Sequence, residues 1–275
     1  MSDYWTALIS GIVEGLTEFL PVSSTAHIVI TQKLLGADLT SPFWKMFTVV
    51  IQLGAILAVV VYFWNRLAEF IRTFLQSEPR ARWRHPLALV IISFVVTAVP
   101  CFLMDKFIAD RLENPVTIAW ALILGGIAMV AIDRWYSERA ITLRMEDMSL
   151  RQSLAIGAAQ ILAATFPGTS RSMATIAGGQ VMGLSRTAAL EFSFFLSIPV
   201  MFSAAGFKLI QFLAKEPIRI AGDQWVTLGI GFATSFFVAW VVIAWFMHWV
   251  KSRGFLPFAI YRVVVGIAVL LWLSR

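Results

Sequence analysis

Residues 13–27 read VEGLTEFLPVSSTAH, and this stretch decides the fold. Glu14 and Glu18 stand four residues apart in an otherwise apolar run, so a helix carries both carboxylates on one face. Pro21 then interrupts that helix. Ser23, Ser24 and Thr25 follow at once, with His27 two residues on. Carboxylates, hydroxyls and an imidazole in one short run are costly to place in hydrocarbon, yet the sequence around them is built for lipid.

The chain has 275 residues, of which 59% are hydrophobic and 14% charged. Soluble domains carry about 25% charged residues. Apolar runs near Phe43–Trp64, Leu87–Met104, Val116–Ile132, Ala188–Phe212, Val226–Val250 and Leu256–Leu273 each approach the ~20 residues that span a bilayer. Two further apolar segments, 4–35 and 153–182, are interrupted in their middles. The expected fold is therefore an all-α polytopic membrane protein with six transmembrane helices and two re-entrant, broken helix pairs. Asp3 and the two glutamates argue against a cleavable signal peptide. Cys101 is the only cysteine, which excludes an intramolecular disulfide and a cysteine-based metal site. The formal charge of +6 fits membrane orientation and anionic headgroups, and no nucleic-acid partner is expected.

The interrupted segment and three spans of residues 1–135 recur in residues 150–275. Gly11, Pro21 and Ser24 fall on Gly157, Pro167 and Ser170 at a constant offset of 146. Phe47-Thr48 falls on Phe192-Ser193 at 145, and Pro115 on Pro257 at 142. The whole chain reads as one integral membrane domain made of two repeat halves. Three full spans per half is an odd number, so the second half is inverted relative to the first. Loops 65–86, 134–151 and 249–255 hold eleven Lys/Arg; the other side holds eight, including Lys106, Arg111, Arg219 and Arg275. That excess puts both termini outside and loop 65–86 in the cytoplasm. The tips of the interrupted segments would then meet near the midplane, where irregular backbone survives only inside protein or beside a wet cavity.

The second tip reads FPGTSRSMAT, residues 166–175. Thr169, Ser170, Ser172 and Thr175 supply hydroxyls around the guanidinium fork of Arg171, a chemistry suited to phosphate. The plainer reading, helix caps and a structural ion pair, needs only one of those hydroxyls. At the first tip, Glu14 and Glu18 repel one another, and a divalent cation would relieve the repulsion. Intramembrane charges are functional candidates by default. One of Ser23, Ser24 and Thr25 is expected to cap the following helix. His27, at i+3 from Ser24, has the spacing of a general base beside a nucleophile. Glu191 reads equally as a site edge or a partner for Arg186. Gln52 and Arg262 read as helix–helix hydrogen-bonding residues, His85 and His248 as interfacial.

EGLTEFLPVSSTAH and PGTSRSMAT, joined by FTVVIQLGAILAVVVYFW and EFSFFLSIP and closed by FLPFAIYR, resemble the bacterial undecaprenyl-diphosphatase (bacitracin-resistance) family along essentially the whole chain. The resemblance implies an integral membrane phosphatase that converts undecaprenyl diphosphate to the monophosphate carrier of envelope polymers such as peptidoglycan, and so gives bacitracin resistance. It implies a bacterial plasma (inner) membrane location, with the site opening to the periplasmic side. By motif, Glu14 and Glu18 fall on the acidic pair tied to Mg²⁺ or Ca²⁺ and to catalysis. Ser24 and His27 fall on the nucleophile and acid/base positions. Arg171 falls on the phosphate-binding motif, with Ser170, Ser172 and Thr175 beside it and Ser23 and Thr25 at the other tip. Ala26 and Met173 stand where Gly is usual, and Thr48 where an acid is common. The partners expected are the polyprenyl diphosphate and membrane lipid; a homodimer is left open, as is the choice of Ser24, His27 or water as nucleophile. The rival reading is a transporter or flippase, whose architecture is the same but which has no need of hydroxyls beside His27.

Overall fold

The structure is a computed structural model that describes residues 2–104, 115–215 and 221–274. Its helices are α1 (Asp3–Thr17), α2 (Ser24–Leu34), α3 (Pro42–Tyr62), α4 (Trp64–Gln76), α5 (Pro79–Arg82), α6 (Pro86–Leu103) and α7 (Pro115–Tyr136), then α8 (Leu150–Thr165), α9 (Arg171–Val181), α10 (Arg186–Lys215), α11 (Gly222–Arg253) and α12 (Leu256–Leu273). No strand occurs among the described residues; Thr142 and Leu184 make one isolated parallel bridge. Among the described residues, six helices are long and apolar enough to cross a membrane: α3, α6, α7, α10, α11 and α12. They coincide with the six spans expected from hydropathy. Lys106, Arg111, Arg219 and Arg275, counted above for topology, lie outside the described residues.

Local chemistry sets the helix starts. Proline, whose missing N–H loses nothing at the first turn, opens α3 and α6 and sits at the start of α12. A Ser149–Gln152 capping box starts α8. His85 caps α6 by accepting from the Leu87 N–H at 3.2 Å.

The chain divides into two compact units. The first comprises Met1–Phe19, Ser24–Phe63 and Ser197–Trp245. Its core joins Phe43, Trp44, Phe47 and Ile51 of α3 to Ala7 of α1, Ile28 of α2 and Leu228 of α11. α1 lies backbone-close against α11: a Cβ on Gly11 would stand 2.7 Å from the Gly231 carbonyl oxygen, and one on Gly15 2.8 Å from that of Ser235. Small residues permit that approach where lipid supplies no hydrophobic drive between helices. Ser235 Oγ also donates to the Ile51 carbonyl at 2.7 Å, tying α11 to α3.

The second unit comprises Leu20–Ser23, Trp64–Leu196 and Phe246–Arg275. Here α8 packs on α6 in the manner of α1 on α11. A Cβ on Gly157 would meet the Ser93 carbonyl oxygen at 2.6 Å. Ser93 Oγ donates to the Ser153 carbonyl at 2.6 Å, and Thr97 Oγ1 to that of Gly157 at 2.8 Å. Gly11 and Gly157 keep the 146-residue offset, and each glycine-bearing helix packs on the second long apolar helix of the other half.

A buried hub fixes the far end of α9. Asp133 of α7 accepts from Arg186 Nε and Nη2 at 2.7 and 2.9 Å and from Gln180 Nε2 at 2.9 Å. Arg186 therefore pairs with Asp133, while Glu191 pairs with Arg66 of α4, which also meets Glu146 at 2.9 Å. The expectation that Glu191 might serve Arg186 is corrected: Asp133 reaches the guanidinium fork from across the chain.

Candidate functional site

Both interrupted segments break as expected, and the breaks are alike. α1 ends at Thr17, whose hydroxyl turns back to the Val13 carbonyl at 2.7 Å. Pro21 disfavours helix in the residue before it, and α2 restarts at Ser24. α8 ends at Thr165, Pro167 follows, and α9 restarts at Arg171. The residue before each restart is a serine with positive φ: 75° at Ser23 and 74° at Ser170. Such backbone in a residue bearing a Cβ is strained by about 1–3 kcal/mol and clusters at functional sites. At the breaks Ser23 thus corresponds to Ser170, one residue off the pairing of Ser24 with Ser170 read from sequence. The slip is absorbed between the prolines and the helix restarts.

In the first unit, Glu14 and Glu18 are 3% and 7% exposed. Their carboxyl groups lie within hydrogen-bond reach of each other, and the Lys208 ammonium acts on Glu14 from α10. Ser24 Oγ donates to Glu18 Oε2 at 2.5 Å. That contact places the Glu18 carboxyl where it could take the Ser24 proton. Of the other residues expected here, Ser23 is buried, His27 is half-buried on α2, and Thr25 is exposed. Thr48, where an acid is common in the family that the sequence resembles, accepts from Gln32 Nε2 at 3.2 Å and donates to the Trp44 carbonyl.

Glu14 Oε1 is sealed from solvent and has no hydrogen-bond partner among the described residues. Leaving a carboxylate oxygen bare in an apolar interior is expensive, so the atom asks for a cation or a proton. Among the described residues no group of three His, Cys, Asp or Glu side chains could hold a metal. Two carboxylates, completed by substrate oxygens and water, suit a hard ion of the Mg²⁺ type and not zinc. The donor set fits.

The second unit holds the phosphate-motif residues. Arg171 opens α9, and its Nη1 donates to the Ser193 carbonyl at 3.1 Å. Thr175 Oγ1 bonds Ser193 Oγ at 2.7 Å and the Arg171 carbonyl at 3.0 Å. Ser170 Oγ caps α9 on the Met173 N–H and meets Ser172 Oγ at 3.1 Å. The Ser172 and Thr175 hydroxyls are fully buried and engaged inside the protein. They hold the backbone and hydroxyls around the Arg171 stem, whereas Arg171 itself is only partly buried.

The break peptide Leu20–Ser23 belongs to this same unit. Ser172 Oγ donates to the Leu20 carbonyl at 2.9 Å. Arg262 of α12, wholly buried, donates from Nη1 to the Pro21 carbonyl and from Nη2 to the Gly168 carbonyl, each at 3.0 Å. Nη2 also reaches the Ala121 carbonyl at 3.0 Å and Nε that of Leu122 at 3.4 Å. Every hydrogen bond drawn here from this guanidinium ends on a backbone carbonyl that a broken helix or neighbouring span presents. A Cβ on Gly125 would collide with it. Sequence gave only a generic helix–helix role to Arg262; the clamp on both breaks was not visible, because its partners lie up to 241 positions away.

Residues 7–268 match the family described as bacitracin resistance protein BacA. The chain is 50% identical over 282 residues to the undecaprenyl-diphosphatase of Koribacter versatilis, covering 99% of both chains. It is 42% identical over 274 residues to that of Novosphingobium aromaticivorans, covering 100% of this chain and 99% of the relative. Against that of Clostridium tetani it is 40% identical over 274 residues, covering 98% and 95%.

Proposed function

The chain belongs to the bacitracin resistance protein BacA family, and on that premise we propose that it hydrolyses undecaprenyl diphosphate to undecaprenyl phosphate and inorganic phosphate. It is a multi-pass membrane phosphatase whose product is the lipid carrier for peptidoglycan and other envelope polymers, and whose activity gives bacitracin resistance. In this reading it resides in the bacterial inner membrane, with the diphosphate reaching the site from the periplasmic side.

The observation that carries the mechanism is the 2.5 Å hydrogen bond from Ser24 Oγ to Glu18 Oε2. Ser24 Oγ attacks the terminal phosphorus as its proton passes to Glu18. The Oγ–P bond forms, the anhydride P–O bond breaks, and undecaprenyl phosphate leaves. Water then cleaves the Oγ–P bond, with His27 handling its proton, and frees phosphate. Arg171, with its planar guanidinium fork, is the side chain suited by its chemistry to bind phosphoryl oxygens, where charge spreads in the transition state. Ser170, Ser172 and Thr175 shape the α9 start that carries Arg171, and Ser23 and Thr25 flank Ser24 in the sequence of the first break. Glu14 and Glu18 would hold a divalent cation, Mg²⁺ or Ca²⁺, which when bound offsets the diphosphate charge.

The test is phosphate release from a C55 isoprenyl diphosphate by detergent-purified protein, with the cation supplied or chelated. Release that needs the cation is expected. A well-folded protein that binds the lipid diphosphate and never cleaves it would favour transport instead.

A further inference from the structure

We propose that Ser10 supplies a third protein oxygen to the cation held by Glu14 and Glu18, an extension that rests on the metal reading of those carboxylates. Thr6, Ser10, Glu14 and Glu18 recur every four residues and so line one face of α1. All four are buried, Ser10 completely. An adjoining strip of α1 packs backbone-close on α11 through Gly11 and Gly15, and Trp5, Ile12 and Leu16 are exposed, so helix packing does not call for a polar ladder of this kind.

Two atoms in the first unit are buried side-chain polar atoms without any hydrogen-bond partner among the described residues: Ser10 Oγ and Glu14 Oε1. They sit one helical turn apart on the same face. A helical serine ordinarily satisfies itself on the carbonyl a turn earlier; this one does not. Thr17, on the same helix, does so at 2.7 Å on Val13. Leaving a hydroxyl and a carboxylate oxygen bare one turn apart is costly in a membrane interior. A hard cation that takes six or more oxygen ligands satisfies both at once. With no third His, Cys, Asp or Glu in reach among the described residues, a neutral oxygen is the donor available to extend the pair. The Lys208 ammonium answers part of the charge of Glu14 but offers no acceptor to Ser10.

The second half of the chain supplies a contrast. Gln160 stands at the 146-residue offset from Glu14, and its amide donates to Thr97 Oγ1 at 2.9 Å. Ile156 stands at the same offset from Ser10. An amide and an isoleucine do not assemble a cation site, so the ladder belongs to α1 alone.

The experiment is Mn²⁺ binding by purified, substrate-free protein, read from the loss of the free-ion electron paramagnetic resonance signal. Ser10→Ala is expected to weaken binding about tenfold, as changes around a metal commonly do, while Ser10→Thr stays close to the wild type. Ser10→Cys is expected to shift preference from Mn²⁺ toward the softer Cd²⁺ by about tenfold, a change that a packing role would not produce and that remains readable if Ser10→Ala folds poorly. Glu14→Gln is the control for the underlying reading. If Glu14→Gln abolishes binding while Ser10→Ala and Ser10→Cys bind both ions as the wild type does, the Ser10 assignment is overturned. If Glu14→Gln itself binds Mn²⁺ normally, the metal role of the carboxylates fails, and Ser10 with it.

Discussion

Ser24 Oγ donates to Glu18 Oε2 at 2.5 Å although a helix end, a proline and a strained serine separate the two residues. The break thus does more than interrupt a helix. It turns the chain so that the first residue of α2 faces the carboxylate at the C-cap of α1. The geometry makes the position of Glu18, and not only its charge, decisive. Glu18→Asp keeps the charge and withdraws the carboxylate by about one bond; a misplacement near 1 Å can lower turnover about 100-fold. That loss is expected in kcat for phosphate release, with the folded state unchanged by gel filtration.

Arg171 is held through its Nη1 bond to the Ser193 carbonyl, on an α9 start shaped by Ser170, Ser172 and Thr175. Arg171→Lys retains a positive charge but loses the planar fork. Steady-state kinetics are expected to show kcat/KM lowered about 10²- to 10³-fold, the range for losing one transition-state donor. A lysine enzyme with wild-type kcat/KM would remove the fork from the mechanism.

Arg262 is a stability residue for both breaks. Arg262→Met leaves the Pro21, Gly168, Ala121 and Leu122 carbonyls short of a donor. A buried carbonyl left without its donor costs about 1–3 kcal/mol. Thermal unfolding in detergent should show a clear drop in Tm, and Arg262→Lys should recover part of it. Hydrogen exchange should rise at both breaks together.

His85 gives the junction of α4 and α6 a pH dependence. Partial burial pushes its imidazole below the ordinary histidine value, and Phe70 and Phe74 pack against the ring. Its Nδ1 must be unprotonated to accept from the Leu87 N–H. The folded pKa lies below the unfolded one, so the contribution is whole above about pH 6.5 and fades as pH falls toward the folded value. Wild-type Tm is expected to fall between pH 7.5 and 5.5 by more than that of His85→Asn, which can cap without titrating.

The spans and both breaks were legible because they rest on local signals: twenty apolar residues, a proline, a run of hydroxyls. Glu14, Glu18, Ser24 and Arg171 stood out because charge inside apolar sequence is rare. The long-range pairings left no such trace. Arg186 meets Asp133 across 53 positions, Arg66 meets Glu191 across 125, and Arg262 meets Pro21 across 241. Nothing periodic marks those partners, and Glu191 was accordingly weighed against the wrong arginine. The one-residue slip between the breaks was also hidden, since Ser23 and Ser24 look alike in sequence and differ only in backbone conformation. The buried roles of Ser172 and Thr175 were hidden too: a hydroxyl-rich motif does not say which hydroxyls face the protein.

The most direct measurement is phosphate release from the C55 diphosphate by Ser24→Ala, Glu18→Gln and the double variant beside the wild type. If Ser24 Oγ and Glu18 act as one nucleophile–base unit, each single change lowers kcat by about 10³ or more, and the double variant is scarcely slower than either, since residues acting together are strongly non-additive. Losses that multiply in the double variant, or a Ser24→Ala enzyme that turns over normally, would contradict the account.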